Sequence, residues 1–272
     1  MKKYVAVFFL LFFFRSFLSA QSDMISPLSI GEIHTIYSSS LNEERTLNIY
    51  LPPGYDSSRA YPVIYLLDGS MNEDFLHISG LAQFFHLMYD MPETVIVGIA
   101  NIDRKRDFTF HTELEELKKS YPTTGHSDRF ISFVKNELQP YVQSRFKTNG
   151  TSFLIGQSLG GLLASEILLH HADLFTHYFI ISPSLWWDNE SMLKKAPELY
   201  REQSDSKRFV YISAGKNEPK IMQTEAKKLY DILSKSGKAN TVAKFLLMEE
   251  DHATILHNSI YQGFKLIFKP LY

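Results

Sequence analysis

The chain contains no cysteine. That absence excludes a disulfide framework, a thiol nucleophile, thiolate-ligated metal sites and lipid attachment through an N-terminal cysteine. An excess of one charge is missing too. Lysine and arginine number 28 against 30 aspartates and glutamates, for a formal net charge of −2. No long basic block follows the first twenty residues, so nothing marks a nucleic-acid surface. The apolar run Val5 to Phe14 is broken by Arg15 and falls short of the roughly twenty residues a membrane span needs. Internal repeats, low-complexity tracts and linkers are also lacking, which leaves one domain as the simplest organisation.

What is present at the N-terminus has the layout of a secretory signal peptide over residues 1–20. Lys2 and Lys3 precede the apolar run, and Ser16 to Ala20 supplies small residues before Gln21. The expectation is export to the periplasm or beyond, with cleavage after Ala20; an uncleaved anchor is the alternative. Cleavage removes Lys2, Lys3 and Arg15 and takes the formal charge from −2 to −5. A mature chain of about 250 residues buries a sizeable core without disulfides. Residues 21–29 read as a lead-in and 30–272 as the folded domain.

Two strands, Glu32 to Tyr37 and Arg45 to Leu51, form a hairpin across a polar turn. Val63 to Leu67 and Thr94 to Ala100 are apolar without a break, as in central strands covered on both faces. A helix carrying Leu81, Phe84, Phe85 and Met88 lies between them. Asn101 to Pro122 is a polar excursion. Ser127-Asp128 is expected to cap a helix through Tyr141. Further strands are expected at His177 to Ile181, Arg208 to Ser213 and Thr241 to Leu247, with helices over Ile221 to Ser236 and Thr254 to Phe268. Strands alternating with helices after an initial hairpin predict an α/β architecture with a mostly parallel sheet and helices on both faces. In such sheets the site lies at the carboxyl ends of the strands.

Thr151 to His170 reads TSFLIGQSLGGLLASEILLH. Phe153-Leu154-Ile155 suits a buried strand. Gly156-Gln157-Ser158-Leu159-Gly160 fits G-x-S-x-G, and Leu162, Leu163, Ile167, Leu168 and Leu169 recur at helical spacing. Glycine and serine alone make an ordinary loop. Between a strand and a helix the same pattern marks a nucleophile elbow with Ser158 at its tip.

A serine hydroxyl needs a positioned base, and an elbow places the acid and then the histidine later in the chain. His252 follows the last strand, where that base belongs; its alternative is a bystander in the acidic turn Glu249-Glu250-Asp251. Glu218 is the only acid in the loop after Phe209 to Ser213 and is the expected orienting carboxylate. A charge for the helix beginning near Pro219 is its other reading. Asp188 is the main rival as the acid, and Asp231 sits mid-helix. The oxyanion hole is expected from the backbone N–H groups of Leu159 and Ser70, with Gly69 permitting close approach. No cofactor and no metal are expected.

These stretches resemble the esterase branch of the α/β-hydrolases that includes esterase D, the mycolyltransferases and the ferric-siderophore esterases. The resemblance rests on Arg45 to Tyr55, Tyr61 to Gly69, Gly98 to Thr109, the elbow, and Ser182 to Asp188. Asp-Arg-x-Arg-Asp and Ser-Pro-Ser-x-Trp-Trp are similar to the siderophore-esterase group. It implies an α/β-hydrolase fold and serine ester hydrolysis by Ser158 and His252, with the oxyanion hole at Ser70 and Leu159. The acid is the least secure transfer, because that group can rely mainly on serine and histidine. Trp186 and Trp187 become candidates to line the substrate cleft, against core packing. Arg104 becomes a candidate for an anionic or catecholate group, against bracing of its loop with Arg106, Asp103 and Asp107, the favoured reading. The expected partner is a small-molecule ester, a siderophore trilactone or an acylated sugar. Acyl transfer on the same serine and a non-catalytic binding protein are the other readings.

Overall fold

Residues 26–272 are described by the computed structural model. The expected leader over 1–20 and the first part of the lead-in lie outside the described residues. β1 (Gly31–Ser38) and β2 (Glu43–Tyr50) pair antiparallel from Gly31 opposite Tyr50 to Ser38 opposite Glu43. Asn42 turns the chain between them at φ 55°, a conformation asparagine tolerates better than most residues.

β3 (Tyr61–Leu66), β4 (Val95–Ile99), β5 (Thr148–Gln157), β6 (His177–Ile181), β7 (Arg208–Gly215) and β8 (Thr241–Met248) complete one eight-stranded sheet, ordered β1-β2-β4-β3-β5-β6-β7-β8. β2 runs antiparallel to both neighbours, and from β4 through β8 every pairing is parallel. After β3 the chain goes to β4 on one side and then to β5 on the other. The switch point therefore opens between the carboxyl ends of β3 and β5, the usual place for a ligand crevice in such a sheet.

Strand residues alternate faces, which divides the core in two. Val63, Tyr65, Leu154, Tyr178, Val210 and Ile212 join one cluster with α4 (Ser127–Phe133), α6 (Leu159–His170), α7 (Trp187–Glu202) and α8 (Lys220–Ser234). Ile64, Leu66, Phe153, Ile155, Phe179 and Tyr211 join the other, with α1 (Phe75–Met88) and α9 (Ile255–Lys265). β3, β4 and most of β6 are buried on both faces, as their unbroken apolar runs require.

Several elements depart from the sequence reading. The excursion Asn101 to Pro122 carries two short helices, α2 (Arg104–Phe108) and α3 (Glu115–Ser120). The cap ahead of α4 is His126, without a side-chain cap bond, and Ser127 is a buried first-turn residue. A π-helical stretch, Val134–Leu138, joins α4 to α5 (Gln139–Arg145). Pro140 lies just beyond it and has no N–H to donate, which favours a widened turn there. α7 has no counterpart among the expected helices. Asp188, Asn189 and Glu190 adopt left-handed φ of 50°, 52° and 58° at its start, and Pro197 lies inside it.

Among the described residues no helix is long and apolar enough to cross a membrane.

Candidate active site

The turn after β5 places Ser158 at φ 60°, ψ −118°, just ahead of α6. A serine pays a strain cost for that backbone conformation, and strained backbone of this kind clusters at functional sites. The neighbours hold it there. Ser158 donates its N–H to the Ile181 carbonyl at 3.0 Å, and its own carbonyl accepts from Ser184 N–H at 3.0 Å. A Cβ on Gly156 would overlap the Gly160 carbonyl, so the strand can enter this turn only as glycine.

His252 follows β8, and its side chain is about half exposed. Glu218 follows β7, and its side chain is fully buried. His252 Nδ1 lies 2.7 Å from Glu218 Oε1. Ser182 Oγ donates to the same oxygen at 2.6 Å, and Gly215 N–H donates to Oε2 at 2.8 Å. Burial pushes the Glu218 carboxyl up. The hydrogen bonds from His252, Ser182 and Gly215 outweigh it and hold the carboxyl below its ordinary value. Glu218 is therefore the ionised acceptor, and Nδ1–H of His252 is the donor. The His252 carbonyl accepts from the Gln157 side chain, which ties the histidine loop to the residue before the serine.

Ser158 Oγ lies 3.4 Å from Ser184 Oγ. Among the described residues it forms no hydrogen bond with His252.

At the end of β3, Asp68 turns the chain at φ 54°. Gly69 donates to the Ile99 carbonyl at 3.0 Å, and its carbonyl accepts from Asn48 Nδ2 at 2.8 Å. A Cβ on Gly69 would overlap the backbone of Gly98. Among the described residues neither Ser70 N–H nor Leu159 N–H meets an acceptor within the protein. Two free backbone donors thus lie just past the carboxyl ends of β3 and β5, which flank the switch point.

Arg104 clasps Asp68, with Nε 2.6 Å from Oδ1 and Nη2 2.9 Å from Oδ2, and donates to the Gln157 carbonyl at 3.1 Å. It braces the β3 loop against the elbow, with Asp68 in place of the expected Asp103. Arg106 does pair with Asp107 at 2.8 Å. It also joins a network the sequence left hidden, in which buried Arg45 meets Asp107 at 2.7 Å and Glu43 at 2.8 Å.

Trp187 is fully buried, and its indole N–H donates to the Phe110 carbonyl at 3.0 Å. It is a core residue rather than a wall of the cleft, because α7 turns it inward under Tyr121. Trp186 beside it stays partly exposed. Asp188 accepts from Thr112 Oγ1 at 2.7 Å, an interaction that anchors the excursion and not the histidine. Ser182, Ser184, Gln157 and Asp68 are contributors that sequence reasoning missed. All four sit within three residues of a strand end, which was the available signal.

The model of the family described as "Putative esterase" matches residues 38–258. Ferri-bacillibactin esterase BesA of Bacillus subtilis is 27% identical over 259 residues, covering 85% of this chain and 88% of that protein. Among solved structures, BES protein from Bacillus cereus superposes with a TM-score of 0.77 at 27% identity, over 88% of this chain and 95% of that one. An IroE-like serine hydrolase from Shewanella oneidensis gives a TM-score of 0.77 at 32% identity, over 87% and 79% respectively. The architecture is that of the α/β-hydrolases.

Proposed function

We propose, on the premise that the chain belongs to the esterase family, that it is an exported serine esterase working through an acyl-enzyme. The observation that carries this reading is the buried, ionised Glu218 hydrogen-bonded to His252, on the loops that follow β7 and β8. The chain order Ser158, Glu218, His252, with each residue on the loop after β5, β7 or β8, supports it, since that is the order of an elbow fold.

Ser158 Oγ attacks the ester carbonyl carbon while His252 Nε2 takes its proton. Glu218 keeps the other ring nitrogen protonated and steadies the imidazolium that results. The N–H groups of Leu159 and Ser70 donate to the developing oxyanion. His252 returns the proton to the leaving alcohol, and water then clears the acyl group by the same steps in reverse roles.

The relative from Bacillus subtilis acts, by its name, on a ferric siderophore. A siderophore-type ester is accordingly the first substrate class for this chain, and acylated sugars are the comparison class. Export is supported by the basic, apolar and small-residue order of residues 1–20.

Purified protein offered p-nitrophenyl acetate and butyrate, then a panel of siderophore trilactones and acylated sugars read by mass spectrometry, tests both levels. Turnover of the chromogenic esters supports the reaction class, and preferential loss of the trilactones supports the substrate class. No hydrolysis of any ester, with no fluorophosphonate labelling of Ser158, would sink the proposal.

A further inference from the structure

α1 begins five residues after Ser70, and α9 begins three residues after His252. On the first turn of each helix stands a histidine, and the two meet. His77 Nδ1 lies 3.2 Å from His257 Nδ1, with ring centroids 5.3 Å apart. Behind His77, Nε2 lies 3.1 Å from Asp74 Oδ1. The residues are 180 positions apart in the chain, and neither takes part in the constellation around Ser158.

We propose that His77 and His257 form a binding site for a borderline divalent transition-metal ion such as zinc, nickel or copper, bridging α1 to α9. Asp74 accepts a hydrogen bond from Nε2–H, which fixes His77 as the tautomer with a lone pair on Nδ1. A carboxylate behind an imidazole is the usual support of a ligating histidine. Metal–nitrogen bonds of about 2.0–2.1 Å at a tetrahedral angle put two donor nitrogens about 3.3 Å apart. The observed separation of 3.2 Å already matches that spacing.

Without an ion the short contact is one N–H donating to one lone pair, so His257 carries its proton on Nδ1. With an ion bound, His257 moves that proton to Nε2, and both Nδ1 lone pairs go to the metal. Neutral rings therefore release no proton. Imidazole donors select zinc, copper and nickel over magnesium and calcium, which prefer oxygen. Among the described residues no group of three or more His, Asp or Glu is placed to hold a metal. Water completes the coordination, and the site is partly exposed, with 34% of the His77 side chain accessible. An ion there would tie together the two helices that leave the Ser70 and His252 loops.

The test uses tag-free full-length protein titrated with copper(II), followed by electron paramagnetic resonance, with zinc and nickel followed by thermal melting. The expected result is one copper per chain with hyperfine structure from two imidazole nitrogens, and a rise in melting temperature with zinc or nickel. His77→Ala and His257→Ala should each abolish both effects while keeping the metal-free melting temperature. Asp74→Asn should weaken binding by roughly tenfold or more. Copper binding unaltered in both alanine variants, a signal from a single nitrogen, or no binding at all would each overturn the proposal. None of these readouts depends on ester hydrolysis, so they stand apart from the assigned reaction.

Discussion

Glu218 and His252 lie 34 residues apart in the chain and 2.7 Å apart in space. The contact exists because β7 and β8 are parallel neighbours, from Arg208 opposite Thr241 to Gly215 opposite Met248. Equal strand ends bring their two following loops side by side. Everything proposed for the histidine depends on this pairing.

Glu218→Gln keeps the shape and removes the charge that holds the His252 tautomer. The fall in kcat should be on the order of 10²–10⁴, with KM little changed. Glu218 also links to stability. Its carboxyl is held below the ordinary value, so its contribution is present above the unfolded value of about 4.3 and is lost as pH falls through the depressed value. The gap in melting temperature between wild type and Glu218→Gln should be widest at neutral pH and close in acid. An unchanged kcat would refute the orienting role.

Among the described residues the Ser182 hydroxyl bonds to Glu218 alone, donating at 2.6 Å, so its proposed effect on the reaction runs through that carboxylate. Hydrogen bonds to charged groups contribute about 1.5–3 kcal/mol. Ser182→Ala should therefore lower kcat by roughly tenfold or more and raise the Glu218 carboxyl toward its usual range. Steady-state kinetics across pH checks this, and a purely structural serine would leave the profile in place.

The buried network of Arg45, Asp107, Glu43 and Arg106 pins α2 against the hairpin. Arg45→Ala leaves Asp107 buried beside only Arg106 and should cost about 3–5 kcal/mol. Urea unfolding measures that cost. A loss under 1 kcal/mol would mean the excursion is held by its apolar contacts alone.

Glu225 is buried on α8 with both carboxyl oxygens lacking a hydrogen-bond partner among the described residues. Burial, then the nearby charge of Glu190, pushes its carboxyl up to about 8. The sign is opposite to that of Glu218. The unfolded chain releases this proton near pH 4.3 and the folded chain only near 8, so stability falls as pH rises between the two. Glu225→Gln should raise the melting temperature at pH 8 by roughly 2–4 °C or more and flatten its decline from pH 5. A variant that melts lower at pH 8 contradicts this.

The parts of the fold that were legible are those where one residue's chemistry suffices. Val63 to Leu67 and Thr94 to Ala100 are apolar throughout because both faces are covered. The elbow is readable because a tight turn demands glycine at fixed offsets around Ser158. Glu218 and His252 were reachable because each lies directly after a strand. α7 was not, since Asp188 to Glu190 and Pro197 break its helical pattern, although Met192, Leu193, Ala196 and Tyr200 keep its inward spacing. Ser182 was hidden because a loop serine looks alike whether it bonds a carboxylate or water. Arg45 needed partners as far as 62 residues away, and the turn of Trp187 into the core depends on α7 itself.

In the proposed reaction Ser158 carries the acyl group. Intact-mass and peptide mass spectrometry after rapid mixing with p-nitrophenyl butyrate, beside a Ser158→Ala control, tests it most directly. A transient butyryl adduct is expected on the peptide containing Ser158, absent from Ser158→Ala, whose hydrolysis falls to near the uncatalysed rate. Full hydrolysis by Ser158→Ala, or an adduct on another residue, would contradict it.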